Sequence, residues 1–261
     1  GMRPLALQLL VLSRLSLLDL YRRKDLAVVF VLCGVILTPL FFFTPFGMSA
    51  ASRYTNELAL LLVWLFSAVI ALGVASRLFP PEFESRTIYP LLAKPVSRGT
   101  VLAGKYLGAL AAALSALAVF YAAYGVLAGL RHGVWFPPVL WQAVLLHAAF
   151  IVVVTALGLL GSLVLTASAN LTLCGLVTAG MLVFGQRLPS LAETQPIPGK
   201  WALYAIHWIA PHLEFFDLRQ RLVHDWPPVR WGVCGAVWLY ALCYAAACLA
   251  LAAMIFRRKK F

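Results

Sequence analysis

The chain has 261 residues, of which 63% are hydrophobic and only 11% charged, with a formal net charge of +12 and a mean hydropathy of +0.91. No water-soluble domain of this length tolerates that balance, so the sequence is read as an all-α membrane protein. The surplus of Lys and Arg does not indicate nucleic acid, because the basic residues gather at the ends of apolar runs and form no long stripe with interleaved aromatics.

Gly1, ahead of Met2, is set aside as a cloning remnant. Residues 4–24 form a leucine-rich segment with Gln8, Ser16, Asp19 and Arg23 on one helical arc and Leu7, Leu10, Leu17 and Tyr21 opposite, although Leu12 and Leu15 interrupt the polar stripe. Two readings stay open: an amphipathic elbow helix lying on the inner leaflet, or a helix packed on the bundle. A spanning helix needs roughly 20 apolar residues, and six segments meet that need: 26–46, 57–79, 101–130, 139–166, 171–188 and 231–256. The first starts too far from the N-terminus for a signal peptide and lacks a small-residue cleavage site, so it is expected to be retained.

Between spans 2 and 3, residues 80–99 concentrate charge in Glu82, Glu84, Arg86, Lys94 and Arg98. Pro80-Pro81 closes the second span, the two acids suit a helix N-terminus, and Pro90 and Pro95 limit its length, which predicts a short helix over 82–92. Gly99, Gly104 and Lys105 then spell G-x-x-x-x-G-K, the letters of a phosphate-binding loop. Tyr106 stands where that motif needs a magnesium-holding hydroxyl, no strand precedes Gly99, and a membrane span follows. Nucleotide binding here is rejected. Gly104, Gly108, Ala112 and Ala116 instead repeat every four positions, a small-residue face for close helix packing. Lys105 is expected to snorkel from the start of the third span to the headgroups.

His147, within the fourth span, is read as a buried, hydrogen-bonded histidine rather than a pathway residue. The connection at 167–170 is too short for a domain. Residues 189–228 are expected to form a soluble extracytoplasmic segment, with an amphipathic helix around Trp201, Tyr204, Ala205, Trp208 and Ile209 and a second short helix within "HLEFFDLRQRLVHDW". His207, His212 and His224 lack metal-site spacing, and all five cysteines, at 33, 174, 234, 243 and 248, fall in predicted spans and read as small buried apolar residues. No cofactor or metal is expected. The acids are confined to helix ends and loops, which disfavours intramembrane enzymes and proton-coupled pumps.

With the N-terminus inside, fourteen of the 21 basic residues fall on the cytoplasmic side, so both termini are expected there.

The stretch "PPEFESRTIYPLLAKPVSRGTVLAGKYLG" resembles the cytoplasmic loop of ABC-2 type permeases. Glu82, Glu84, Thr87, Ile88, Leu91, Leu92, Lys94, Pro95, Val96, Ser97, Arg98, Gly104, Lys105, Leu107 and Gly108 match its pattern, and Arg86 departs from the usual Gly. The six-span layout and "APHLEFFDLRQ" are similar to the branch of the nitrous-oxide-reductase maturation permease. The resemblance implies a coupling helix in the 80–99 loop, a homodimer of permeases in a prokaryotic plasma membrane, and two copies of a separate ATPase subunit that hydrolyses ATP for the complex. It also implies that Glu82, Glu84 and Arg86 supply charged contacts to the ATPase, with Thr87, Lys94, Pro95 and Arg98 in the same loop, while Leu91 and Leu92 hold the helix on the bundle. Transport is then the function, with export as its direction; a membrane scaffold or signalling subunit is the alternative.

Overall fold

A computed structural model describes residues 49–85, 97–133 and 135–259, with isolated helical positions at 10, 11, 13, 14, 31, 34, 35 and 38. The expected elbow helix at 4–24 and first span at 26–46 lie outside these, apart from those positions. Five helices among the described residues are long and apolar enough to cross a membrane. In chain order the elements are α1 (Ser49–Ser76), α2 (Pro80–Glu84), α3 (Arg98–His132), α4 (Pro138–Ser162), α5 (Ala167–Phe184), a 3₁₀ turn (Gly185–Arg187), α6 (Leu188–Glu193), α7 (Ile197–Ile209), a second 3₁₀ turn (Leu213–Phe216), α8 (Arg219–Val223) and α9 (Trp231–Arg258).

Local chemistry sets the boundaries. The Ser97 hydroxyl accepts from the Thr100 amide at the start of α3, and Gly133, with φ of 72°, turns the chain at its end while its N–H bonds the Gly129 carbonyl. Proline opens α4, where a missing N–H costs nothing. Thr166 caps α5 through the Ala169 amide, so the expected short connection at 167–170 is already helix.

The bundle is organised around α4, which packs against α1, α3, α5 and α9. Its Phe150, Ile151, Val153, Val154 and Leu159 are fully buried, and an all-round apolar helix belongs at a core position. Close approach is possible at Gly158, where an added Cβ would sit 2.7 Å from the Ala75 Cβ of α1. The outer faces of α5 and α9 carry exposed Leu173, Leu176, Val183, Leu239, Leu242 and Met254, as expected of surfaces turned to lipid or to another membrane helix.

The segment after α5, expected as an outer stretch at 189–228, is folded against α4 and α9. The Tyr244 hydroxyl donates to the Ile209 carbonyl at 3.1 Å, the His212 N–H donates to the Tyr240 hydroxyl at 2.9 Å, and Phe216 meets Phe150 edge to face at 6.5 Å. Tyr244 lies halfway along α9 and Phe150 halfway along α4, so the stretch from Ile209 to Phe216 packs beside the middles of these two helices, on the order of 20 Å along α9 from its start at 1.5 Å per residue. Leu213 and Phe216 are completely buried. Irregular backbone in such surroundings needs hydrogen-bond partners, and the tyrosine hydroxyls supply part of them. Gln142 does the same nearer the start of α9, with its amide donating to the Val229 carbonyl at 2.8 Å and accepting from the Val229 N–H at 2.9 Å.

Candidate functional site at the basic end of the bundle

The motif-bearing residues meet where α1 ends, α3 begins and α9 finishes. The G-x-x-x-x-G-K letters are no phosphate loop: one continuous helix runs from Arg98 through Gly99, Gly104, Lys105 and Tyr106. Lys105 does not snorkel as expected. It is buried, its ammonium 2.5 Å from Glu82 Oε1 and 2.8 Å from the Leu78 carbonyl, with the Phe79 ring centroid 5.0 Å away. The reason is local: α2 folds back under the end of α1, so that the Glu82 carboxylate and the Leu78 carbonyl both face the ammonium. Glu82 Oε2 is buried and has no hydrogen-bond partner among the described residues, so the carboxylate is committed to Lys105 through one oxygen. Glu84, the last residue of α2, is exposed.

Arg98 points to the other end of the chain. Its Nη1 donates to the carbonyls of Phe256, Arg257 and Lys259 at 2.8, 3.1 and 3.0 Å, and its guanidinium carbon lies 5.8 Å from the Phe256 ring centroid. These are final carbonyls of α9, which no helix residue can satisfy, and a cation there also complements the helix dipole. Lys259 completes the arrangement by donating to the Leu163 carbonyl at the end of α4, 2.7 Å away, and by lying 4.0 Å from the Phe83 ring centroid of α2. Partial burial holds its ammonium below the ordinary lysine range. Phe79, Phe83 and Phe256 fill the space between, with centroids 5.7 Å apart for Phe79–Phe83 and 5.3 Å for Phe79–Phe256.

Gly104, Gly108 and Ala112 are buried along α3, and α3 packs against α1 and α4. Arg86, Thr87, Leu91, Leu92, Lys94 and Pro95 lie outside the described residues. The structure therefore brings together Glu82, Lys105 and Arg98 with Lys259, a partner the sequence reading missed.

A second polar cluster lies mid-bundle. His147 is fully buried, with Nε2 2.8 Å from Ser67 Oγ and Nδ1 3.2 Å from the Tyr121 hydroxyl. The Ser67 proton goes to the Trp64 carbonyl at 3.0 Å, so Ser67 accepts from Nε2–H. Nδ1 then accepts from the Tyr121 hydroxyl. Trp64 stacks on the imidazole with centroids 4.2 Å apart, and the Arg219 guanidinium carbon, paired with Asp217 at 2.7 Å, lies 5.3 Å from the Trp64 centroid. His147 is thus the hydrogen-bonded core histidine that the sequence suggested.

Near α9, the His207 and His212 Nε2 atoms lie 3.4 Å apart. Among the described residues no three His, Cys, Asp or Glu side chains converge to hold a metal ion. Cys174, Cys234 and Cys248 are buried as expected, but Cys243 is exposed on the outer face of α9.

A family model described as ABC-2 family transporter protein matches residues 40–261. The chain belongs to the ABC-2 transporter family. The match covers every described element from α1 to α9, including the basic end of the bundle. A search of curated proteins found no match. This ABC-2 protein is accordingly a multi-pass membrane protein and a permease subunit of an ABC transporter, and membership implies an ATPase partner. Within the ABC-2 frame, the Glu82–Lys105 pair and the Arg98 contacts stand at the two ends of the charged 80–99 loop.

Proposed function

We propose that this permease moves its substrate out across a prokaryotic plasma membrane, as a homodimer with two ATPase subunits docked on the 80–99 loop. Both termini face the cytoplasm, with an elbow helix at 4–24 and a first span at 26–46 completing six spans. ATP is bound and hydrolysed by the partner, and the 82–92 stretch serves as the coupling helix. The charge distribution supports the orientation, because Arg77, Arg98, Lys105, Arg257 and Arg258 all lie at one end of the bundle. The "APHLEFFDLRQ" phrase supports the branch that includes the nitrous-oxide-reductase maturation permease.

The observation that carries this reading is the fastening of both ends of the loop to the bundle, at Glu82 through Lys105 and at Arg98 through the end of α9. A segment held in this way transmits a push from a docked partner as a rigid element rather than absorbing it. The test is affinity capture of the chain from native membranes followed by an ATP hydrolysis assay. Hydrolysis accompanies the wild-type complex and is lost when residues 86–96 are replaced by a Gly-Ser linker of equal length. Hydrolysis that survives this replacement contradicts the docking assignment.

A further inference from the structure

We infer that Lys105 is the positioning residue through which movement of the 80–99 loop enters α3, so that of the two neighbouring acids Glu82 serves the inside of the permease and Glu84 the partner. This rests on the ATPase-docking reading above.

The two acids of α2 have opposite surroundings. Glu84 is exposed. Glu82 is half-buried, bonded to Lys105 through Oε1 and enclosed at Oε2. Lys105 is itself buried, and three features of the adjoining chain hold it: the Leu78 carbonyl, the Phe79 ring and the Glu82 carboxylate. It lies about two turns inside α3, past the Ser97-capped first turn, so a force on its ammonium acts on a helix that is already formed. Lys105 is the buried member, so separating the pair strands its ammonium away from water. A displacement of α2 therefore carries the start of α3 with it instead of breaking the contact.

The far end of the loop leads elsewhere. Arg98 is fixed to the carbonyls that end α9, and Lys259 links that end to α4 and to Phe83 of α2. One moving loop thus has two outputs: Lys105 into α3 and Arg98 into α9. Lys105 needs no contact with the partner to act.

The test uses the full chain co-expressed with its ATPase and reconstituted in nanodiscs, with hydrogen exchange over residues 98–108 measured with and without ATP, magnesium and vanadate. In wild type, trapping changes exchange there by at least about threefold. Lys105→Met and, as a milder variant that keeps the side-chain shape, Glu82→Gln retain ATPase capture within about twofold but lose that change. The swap of Glu82→Lys with Lys105→Glu restores it. Persistence of the change in Lys105→Met, or loss of capture together with it, overturns the assignment. Wild type that captures no ATPase overturns the docking reading and this inference with it.

Discussion

The guanidinium of Arg98 and the carbonyl of Phe256 are joined by a 2.8 Å hydrogen bond across 158 positions of the chain. The residue that starts α3 therefore finishes α9, adding to the Lys259 N–H that bonds the Ile255 carbonyl. Replacing Arg98 by Ala leaves three carbonyls without this donor. Charge-assisted hydrogen bonds are worth about 1.5–3 kcal/mol, so the variant is expected to lose on the order of 2 kcal/mol and to unfold at a lower temperature in detergent. An unchanged midpoint contradicts the role.

Gly161 and Asn170 give a second stability prediction. An added Cβ on Gly161 collides with the Asn170 side-chain oxygen, and Asn170 Nδ2 donates to the Gly158 carbonyl at 2.7 Å while its oxygen accepts from the Cys174 thiol at 3.1 Å. Asn170 is fully buried, so Gly161→Ala displaces an amide with no water to turn to. The expected cost is about 2–3 kcal/mol. Gly180→Ala, with nothing within 4 Å of its added Cβ, is expected to be neutral or stabilising by up to about 1 kcal/mol. Equal unfolding temperatures for the two variants count against this packing.

His147 predicts a graded series. His147→Phe keeps the stack on Trp64 but leaves the Tyr121 O–H without its acceptor and removes the donor to the Ser67 oxygen, which still bonds the Trp64 carbonyl, at about 1–3 kcal/mol. His147→Ala adds a cavity, for a total of roughly 3–5 kcal/mol. A Phe variant less stable than the Ala variant contradicts the arrangement, and denaturant unfolding in micelles reads the order.

The contact of α7 with the middle of α9 predicts that its end reaches the apolar layer, which is tested by depth. Ile209 is 74% exposed while its carbonyl bonds Tyr244 halfway down α9. An environment-sensitive fluorophore at position 209 in liposomes is expected to be quenched most by lipids labelled at mid-chain. Stronger quenching by headgroup-labelled lipids places the segment outside the membrane and sinks this description.

The sequence made the spans legible because length and apolarity alone suffice to identify them. It also singled out the 80–99 loop, since its charges stand beside Pro80-Pro81 and match the ABC-2 loop pattern. The partners of that charge were not legible. Lys105 read as snorkelling because the flank of a span offers headgroups by default, and nothing local reveals that α2 folds back to present Glu82. Arg98 and Phe256 are joined only by the tertiary fold. The outer segment was legible as a break in hydropathy through its prolines and charges, but not its packing, because Tyr240 and Tyr244, which bond it, sit in α9 and look like ordinary span aromatics. For Asn170 the signal was present: an amide beside a helix cap in an apolar chain has to find a partner.

The central claim, that the 80–99 loop is where the permease meets its ATPase, is tested most directly by photo-crosslinking in cells. Benzoylphenylalanine at Thr87 or Lys94 is expected to crosslink a P-loop ATPase subunit, while the same residue at Gln220, in α8 far from the basic end, is not. ATPase crosslinked equally from position 220, or none from positions 87 and 94 in a chain that still transports, contradicts the account.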